Sequence, residues 1–380
     1  MSRPALQTPS GAVADSLDRR PGQLFRRRAA AAPAVVLALA GLWSFAHGVD
    51  HRFISFSDGV YMYAAAAGAA HGLHHLYTDI PLSLPPATML GAALLWRVSP
   101  HIETVRLALA TIGAATALLT FAVGRRLFGL SPAAAVVAAA LALTAPIHAE
   151  FVGLDGEVLL TPLLLLVALT LEARRDKASA VLLGVGFLVK LTWAPYFLAA
   201  LVALALRAGV RSAAALAAVA LAVAGALYAA VAVVLGWDAG DLLRQLVLAE
   251  SRSGYQFDLI PALALGVAVL WWPALVLLRP GLRATSATSV CLMAGGAASA
   301  LFMFKQGTFF NVLAPVEPLL AVTAVAGATA LWSRRRVVVA LCAVGAALHA
   351  ASVTRGPLGR ALPLPAGAAI VDTDNQATVN

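Results

Sequence analysis

ASAVLLGVGFLVKLTWAPYFLAALVALALR, residues 178–207, is the stretch on which the layout of this chain turns. As one helix its thirty residues would run about 45 Å, half as long again as a hydrocarbon core of about 30 Å. Lys190 stands near its middle, with Pro195 close behind. Were it one tilted span, every later loop would change sides, and Arg279, Arg283 and the run Arg334, Arg335, Arg336 would face outward. Lys and Arg concentrate in cytoplasmic loops. The stretch is therefore read as two short helices meeting near Lys190 and Trp193.

The rest of the chain supports a membrane setting. Of its 380 residues 61% are apolar and 12% charged, against roughly 25% charged in a soluble domain. Apolar runs fall at about 31–49, 103–124, 132–149, 157–172, 178–190, 194–207, 212–236, 259–278, 286–304, 312–332 and 337–353. The reading is an all-α polytopic membrane protein with about eleven transmembrane helices. Residues 1–30 form a disordered basic cytoplasmic tail, 31–353 the membrane domain, and 354–380 an extracytoplasmic tail. The net charge of +9 comes from short basic clusters between apolar runs, not from a solvated basic face, so nucleic acid is not a partner. Cys291 and Cys342 each lie inside a predicted span and are read as free thiols. The first apolar run follows Arg26, Arg27 and Arg28 and has no clear cleavage site, so it is read as a retained anchor.

With this layout most of the 27 Lys and Arg are cytoplasmic, whereas of the 18 acids only Asp15, Asp18, Glu172 and Asp176 are. Polar residues thus gather on the outer face. The first outer loop, 50–102, contains SFSDGVYMYAAAAGAAHGLHHLYTDIPLSLPP and is too long and too apolar for a mere connection. It is expected to be structured, with two short interfacial helices and Tyr61, Tyr63, Tyr77 and Trp96 as anchors. HAEFVGLDGEVLL brings Glu150, Asp155 and Glu157 to the second outer loop. Lys190 follows, then WDAGDLLRQLVLAESRSGYQFD with Arg244 and Arg252, then FKQGTFFN with Lys305 and Gln306. Charges at membrane depth are costly and mark functional sites, and lysines beside carboxylates fit an anionic ligand.

SDGVYMYAAAAGAAHGLHHLY, PLSLPPATMLGAALLW, GRRLFG, GLDGEVLL and GFLVKLTW, in this order and on these sides, resemble the membrane-embedded C-type (GT-C) glycosyltransferases over roughly residues 30–330. The similarity is to the branch of the protein O-mannosyltransferases and lipid A aminoarabinose transferases. It implies transfer of a sugar from a polyprenyl-phosphate carrier, with inversion, to an acceptor on the outer face. It further implies Asp58 as general base, Asp155 as a second catalytic acid and Lys190 as a recurring site lysine. Two departures stand out: a single first-loop acid in SDG, and no large outer C-terminal domain.

The chemistry of such a transfer asks for cations at the phosphate, a base for the acceptor hydroxyl, and exclusion of water. Lys190, Lys305, Arg244 and Arg252 are the phosphate candidates. Glu157, Tyr61, Tyr63, His74, His75, Tyr77 and Gln306 are the substrate-binding candidates. The acceptor is left open among glycan, lipid and protein. Each residue has a plainer role as well. Asp58 could cap a helix beginning at Val60 or Tyr61. Asp155 and Glu157 could cap the next span, and Lys190 could snorkel. His71, His74 and His75 have the spacing that shares one helix face, so a divalent metal is left open. The rival function is a transporter or flippase for a lipid-linked or anionic substrate, which requires paired interrupted helices and a repeat. A bacterial plasma membrane, with the N-terminus cytoplasmic and the C-terminus extracytoplasmic, completes the reading.

Overall fold

The computed structural model describes residues 31–41, 56–77, 85–145, 156–249, 254–255, 257–283, 285–304 and 310–355. Among them the architecture is all helical. The helices are α1 (Ala31–Gly41), α2 (Phe56–His71), α3 (Pro86–Val98), α4 (Ile102–Arg126), α5 (Pro132–Leu143), α6 (Gly156–Glu172) and α7 (Asp176–Val189). They continue as α8 (Ala194–Ala208), α9 (Val210–Leu235), α10 (Ala239–Leu243), α11 (Ile260–Leu282), α12 (Ala287–Ser299), α13 (Glu317–Leu331) and α14 (Arg336–Arg355). A helix lies on every predicted span. Six helical segments are long and apolar enough to cross a membrane: Leu107–Arg126, Leu191–Ala208, Val210–Leu235, Ile260–Leu282, Ala287–Phe304 and Val312–Leu331. Ala31–Gly41, Pro132–Leu143, Leu159–Glu172 and Arg336–Leu348 are shorter apolar helices.

The stretch 178–207 folds back on itself. Lys190 leaves the helical region for an extended conformation (φ −162°, ψ 145°), residues Leu191–Trp193 make a single 3₁₀ turn, and Pro195 opens α8. Pro suits this first turn, where its missing N–H is not needed. Arg207, in the last turn of α8, reaches Asp176, in the first turn of α7, at 2.7 Å, and also donates to the carbonyl of Leu171. The two ends of the stretch therefore lie on the same side. α7 and α8 hold 14 and 15 residues, about 21 and 22 Å, and with the turn before it α8 makes up the apolar segment Leu191–Ala208, which is long enough to cross a membrane.

In lipid, apolar burial does not drive helices together, and close packing of small residues takes its place. A Cβ on Gly327 of α13 would lie 2.2 Å from the Leu277 carbonyl of α11, and one on Gly281 of α11 would lie 2.1 Å from the Thr323 carbonyl of α13. These two backbones touch. α6 and α13 form the interior: Leu160, Leu164, Leu165, Ala168, Leu319 and Val322 have no or almost no exposed surface. Val36 and Ala40 pack α1 against Ala117 of α4 and Ala139 of α5. Cys291 and Cys342 are both free thiols, as read.

Two local expectations change. α2 begins at Phe56, so Asp58 lies within the first turn and does not cap a later start. Acids are favoured throughout a first turn as well as at the cap, so the SDG signal does not separate the two. The three histidines do not share a helix face. α2 ends at His71, Gly72 turns the chain with φ 124°, and His74 and His75 belong to a separate 3₁₀ turn with ring centroids 4.0 Å apart.

Candidate functional site

Glu157, one residue into α6, is 1% exposed. Its Oε2 accepts from the ammonium of Lys190 and its Oε1 from the hydroxyl of Thr192 at 3.1 Å. α6 and α7 are neighbours, and Glu157 and Lys190 stand at their corresponding ends, which is why residues 33 apart in sequence meet. The turn bearing Lys190 is held on several sides. Trp193 donates its indole N–H to the Leu183 carbonyl at 2.9 Å and lies over Gly186, where a Cβ would come within 2.3 Å of the indole nitrogen. Thr88 of α3 donates to the Val189 carbonyl at 3.1 Å. Tyr228 of α9 donates to the Phe187 carbonyl at 2.8 Å. The pair is part-buried, with Glu157 enclosed and Lys190 18% exposed, and the turn around it is held in one geometry.

A second polar group stands next to it. Tyr196, one turn beyond Trp193, shares a 3.2 Å hydrogen bond with Ser299 and donates to the Val312 carbonyl at 3.1 Å. Glu317 directly follows the 3₁₀ turn Phe310–Val316, whose Val312 carbonyl accepts from Tyr196. Glu317, also 1% exposed, accepts from the indole N–H of Trp271 at 3.0 Å. Trp271 lies eleven residues, about 16 Å, into α11, near the middle of that apolar helix. Among the described residues Glu317 lines a cavity of about 600 Å³ bounded by α5, α11, α13 and α14.

The predicted site residues fall into three groups. Glu157 and Lys190 are brought into contact. Arg244 is exposed and pairs with Asp241 at 3.5 Å, and Tyr63 is 77% exposed. Tyr77 was read as an interfacial anchor and substrate contact; its ring is buried against Trp237 at 4.7 Å, and its carbonyl accepts from Gln245. His74 and His75 occupy the turn before it. Asp58 and Tyr61 are placed by their backbone on α2, while Asp155, Arg252, Lys305 and Gln306 lie outside the described residues. Among the described residues no three His, Cys, Asp or Glu side chains gather with metal-ligand spacing. Sequence reading passed over Thr88, Thr192, Tyr196, Ser299 and Trp271, all in apolar helical runs. Glu317 stands between Pro315 and Pro318, and nothing in the spacing points to Trp271, 46 residues away.

No protein-family model matches the chain, and no curated protein does. Among solved structures it is similar to ArnT from Cupriavidus metallidurans, a structure bound to undecaprenyl phosphate, with a TM-score of 0.56. The chain has the fold of that ArnT structure. Identity is 19%, and the match covers 81% of this chain and 60% of ArnT. At that identity the likeness speaks to the fold. Within it the Glu157–Lys190 pair stands at the turn of the α7–α8 hairpin, which α3 contacts through Thr88.

Proposed function

We propose that the protein is an integral-membrane glycosyltransferase that moves a sugar from a polyprenyl-phosphate donor to an acceptor hydroxyl on the extracytoplasmic face of a bacterial inner membrane. The observation that carries the reading is the part-buried Glu157–Lys190 pair at the turn of the α7–α8 hairpin, in a chain with the fold of ArnT. ArnT is a lipid A aminoarabinose transferase, and its structure holds undecaprenyl phosphate. Eleven crossings and a structured first outer loop belong to the same proposal.

In the proposed reaction the acceptor oxygen attacks the anomeric carbon, the bond from that carbon to the phosphate oxygen breaks, and configuration inverts. The acceptor proton passes to Asp58, with Asp155 as the second acid. The departing polyprenyl phosphate gains negative charge, and Lys190 neutralises it, with Lys305, Arg244 and Arg252 as further candidates. An ammonium carries three donors, so Lys190 can be held by Glu157 and still reach a phosphate oxygen. Stabilisation of this kind is strongest where water is excluded, and a site recessed in the bilayer supplies that.

The test uses purified full-length protein in nanodiscs with undecaprenyl-phosphate-linked sugars and a panel of acceptors. Asp58→Asn keeps a residue tolerated in a first helical turn but removes the proton acceptor. Turnover is expected to fall by about 10² to 10⁴, with donor binding and expression retained. Turnover retained in Asp58→Asn, while the wild-type protein transfers, moves the base role to Asp155. No transfer from any polyprenyl-phosphate sugar rejects the reading.

A further inference from the structure

The hydroxyl of Thr88 reaches across the fold. Thr111, Thr120, Thr161, Thr170 and Thr323 each donate to the carbonyl four residues back in their own helix, as a threonine inside a helix commonly does. Thr88 is the third residue of α3 and has no full turn of that helix behind it. It donates instead to Val189, 101 residues away, and both residues are buried. Val189 ends α7, and the last four carbonyls of a helix have no partner within it. A buried carbonyl of this kind takes its donor from elsewhere in the fold. Here α3 supplies it.

What the bond joins decides its use. On one side it holds the residue before Lys190. On the other it holds α3, whose Met89, Ala92 and Ala93 share one apolar cluster with Ala64 and Ala65 of α2, so that a shift of α3 carries α2 with it. Asp58 lies on α2. The turn itself has other fastenings, in Trp193 on the Leu183 carbonyl and Tyr228 on the Phe187 carbonyl, and these keep Lys190 in place without Thr88. What the Thr88 bond adds is the position of α2 and α3 relative to that turn.

We propose that Thr88 is a positioning residue, which ties α3 to the carbonyl beside Lys190 and thereby sets the distance between the proton acceptor on α2 and the cation at the donor phosphate. The inference rests on the reading above, in which Asp58 takes the acceptor proton and Lys190 serves the phosphate. A misplacement of about 1 Å far from the chemistry can cost about 10² in rate, so the bond is felt in turnover and not in donor binding.

The test uses the full chain in nanodiscs with undecaprenyl-phosphate-linked sugars. Thr88→Val, nearly the same size but without the hydroxyl, is expected to lower kcat by about 10- to 100-fold and to leave the affinity for undecaprenyl phosphate unchanged. Thr88→Ser, which restores the hydroxyl, should recover most of the turnover. Thr111→Val, which removes a hydroxyl bonded within α4, should change neither quantity. Hydrogen exchange in Thr88→Val should rise over α2 and α3 and stay the same over residues 183–195. Added to Asp58→Asn, Thr88→Val should lower the residual turnover by less than about twofold, because the group that Thr88 positions is already gone. Unchanged kcat or weaker undecaprenyl phosphate binding in Thr88→Val overturns the inference and leaves the transferase standing. So does the same fold-loss in Asp58→Asn as in the wild type, or full turnover in Asp58→Asn alone. Absence of transfer by the wild-type protein rejects the proposed function itself, and this inference with it.

Discussion

Glu157 and Lys190 hold each other across the adjoining ends of α6 and α7. Removing one partner of a buried pair costs about 3–5 kcal/mol, chiefly because the other charge is left uncompensated. Lys190→Met is thus expected to lower stability markedly, and adding Glu157→Gln should recover most of the loss, since Thr192 can still donate to the Gln carbonyl. Transfer should stay lost in the double variant if Lys190 serves the phosphate. Thermal unfolding in detergent, read beside a donor-binding assay, separates the two effects. Normal donor binding in the double variant would take Lys190 out of the phosphate site. At this scale the sequence exposed the charged members of the site, because charges stand out among Ala and Leu. It concealed Thr88, Thr192 and Ser299, because hydroxyls are common in membrane helices and their partners are set by tertiary contact. Tyr77 misled for a related reason: an aromatic near a loop reads as an anchor whether its ring faces lipid or, as here, Trp237.

The α7–α8 hairpin was legible as an element, since a Lys in the middle of a thirty-residue apolar run and a following Pro both argue against continuity. Its fastening was not. The turn is closed by Trp193 lying on Gly186, a contact between residues seven apart that no periodicity announces. A methyl group placed 2.3 Å from the indole must displace the ring, and overpacking of this kind costs about 1–3 kcal/mol. Gly186→Ala should therefore loosen the turn and weaken donor binding with Lys190 intact, whereas Gly91→Ala, in α3 with open space beside it, should change neither. Hydrogen exchange across residues 183–195 measures the loosening. Unchanged exchange in Gly186→Ala would mean that Thr88 and Tyr228 hold the turn without Trp193. The start of α2 was misplaced because Ser-Asp-Gly suits a first turn as well as a cap, and the histidine face failed because a single Gly at φ 124° ends the helix between its members.

For the whole molecule, the salt bridge between Arg207 and Asp176 fixes parity: whatever side holds the start of α7 also holds the end of α8. In the proposed layout α9 crosses from there, which puts Tyr255 opposite Lys177, and α11, α12 and α13 bring Ser333 back to the side of Lys177. The positive-inside rule makes that side cytoplasmic in this layout, because Arg174, Arg175, Arg283 and Arg334–Arg336 all fall there. Lys177, Tyr255 and Ser333 are all exposed and suit cysteine substitution once Cys291 and Cys342 have been replaced. An impermeant maleimide added to intact cells should label Tyr255→Cys and spare Lys177→Cys and Ser333→Cys until the membrane is opened. Labelling of Ser333→Cys with Lys177→Cys protected would mean that residues 178–207 cross the membrane once, breaking the Arg207–Asp176 contact and carrying Lys190 away from the outer face. Labelling of both, with Tyr255→Cys protected, would keep the hairpin but invert the whole protein, and the Glu157–Lys190 site would then open toward the cytoplasm, where an extracytoplasmic transferase has no use for it.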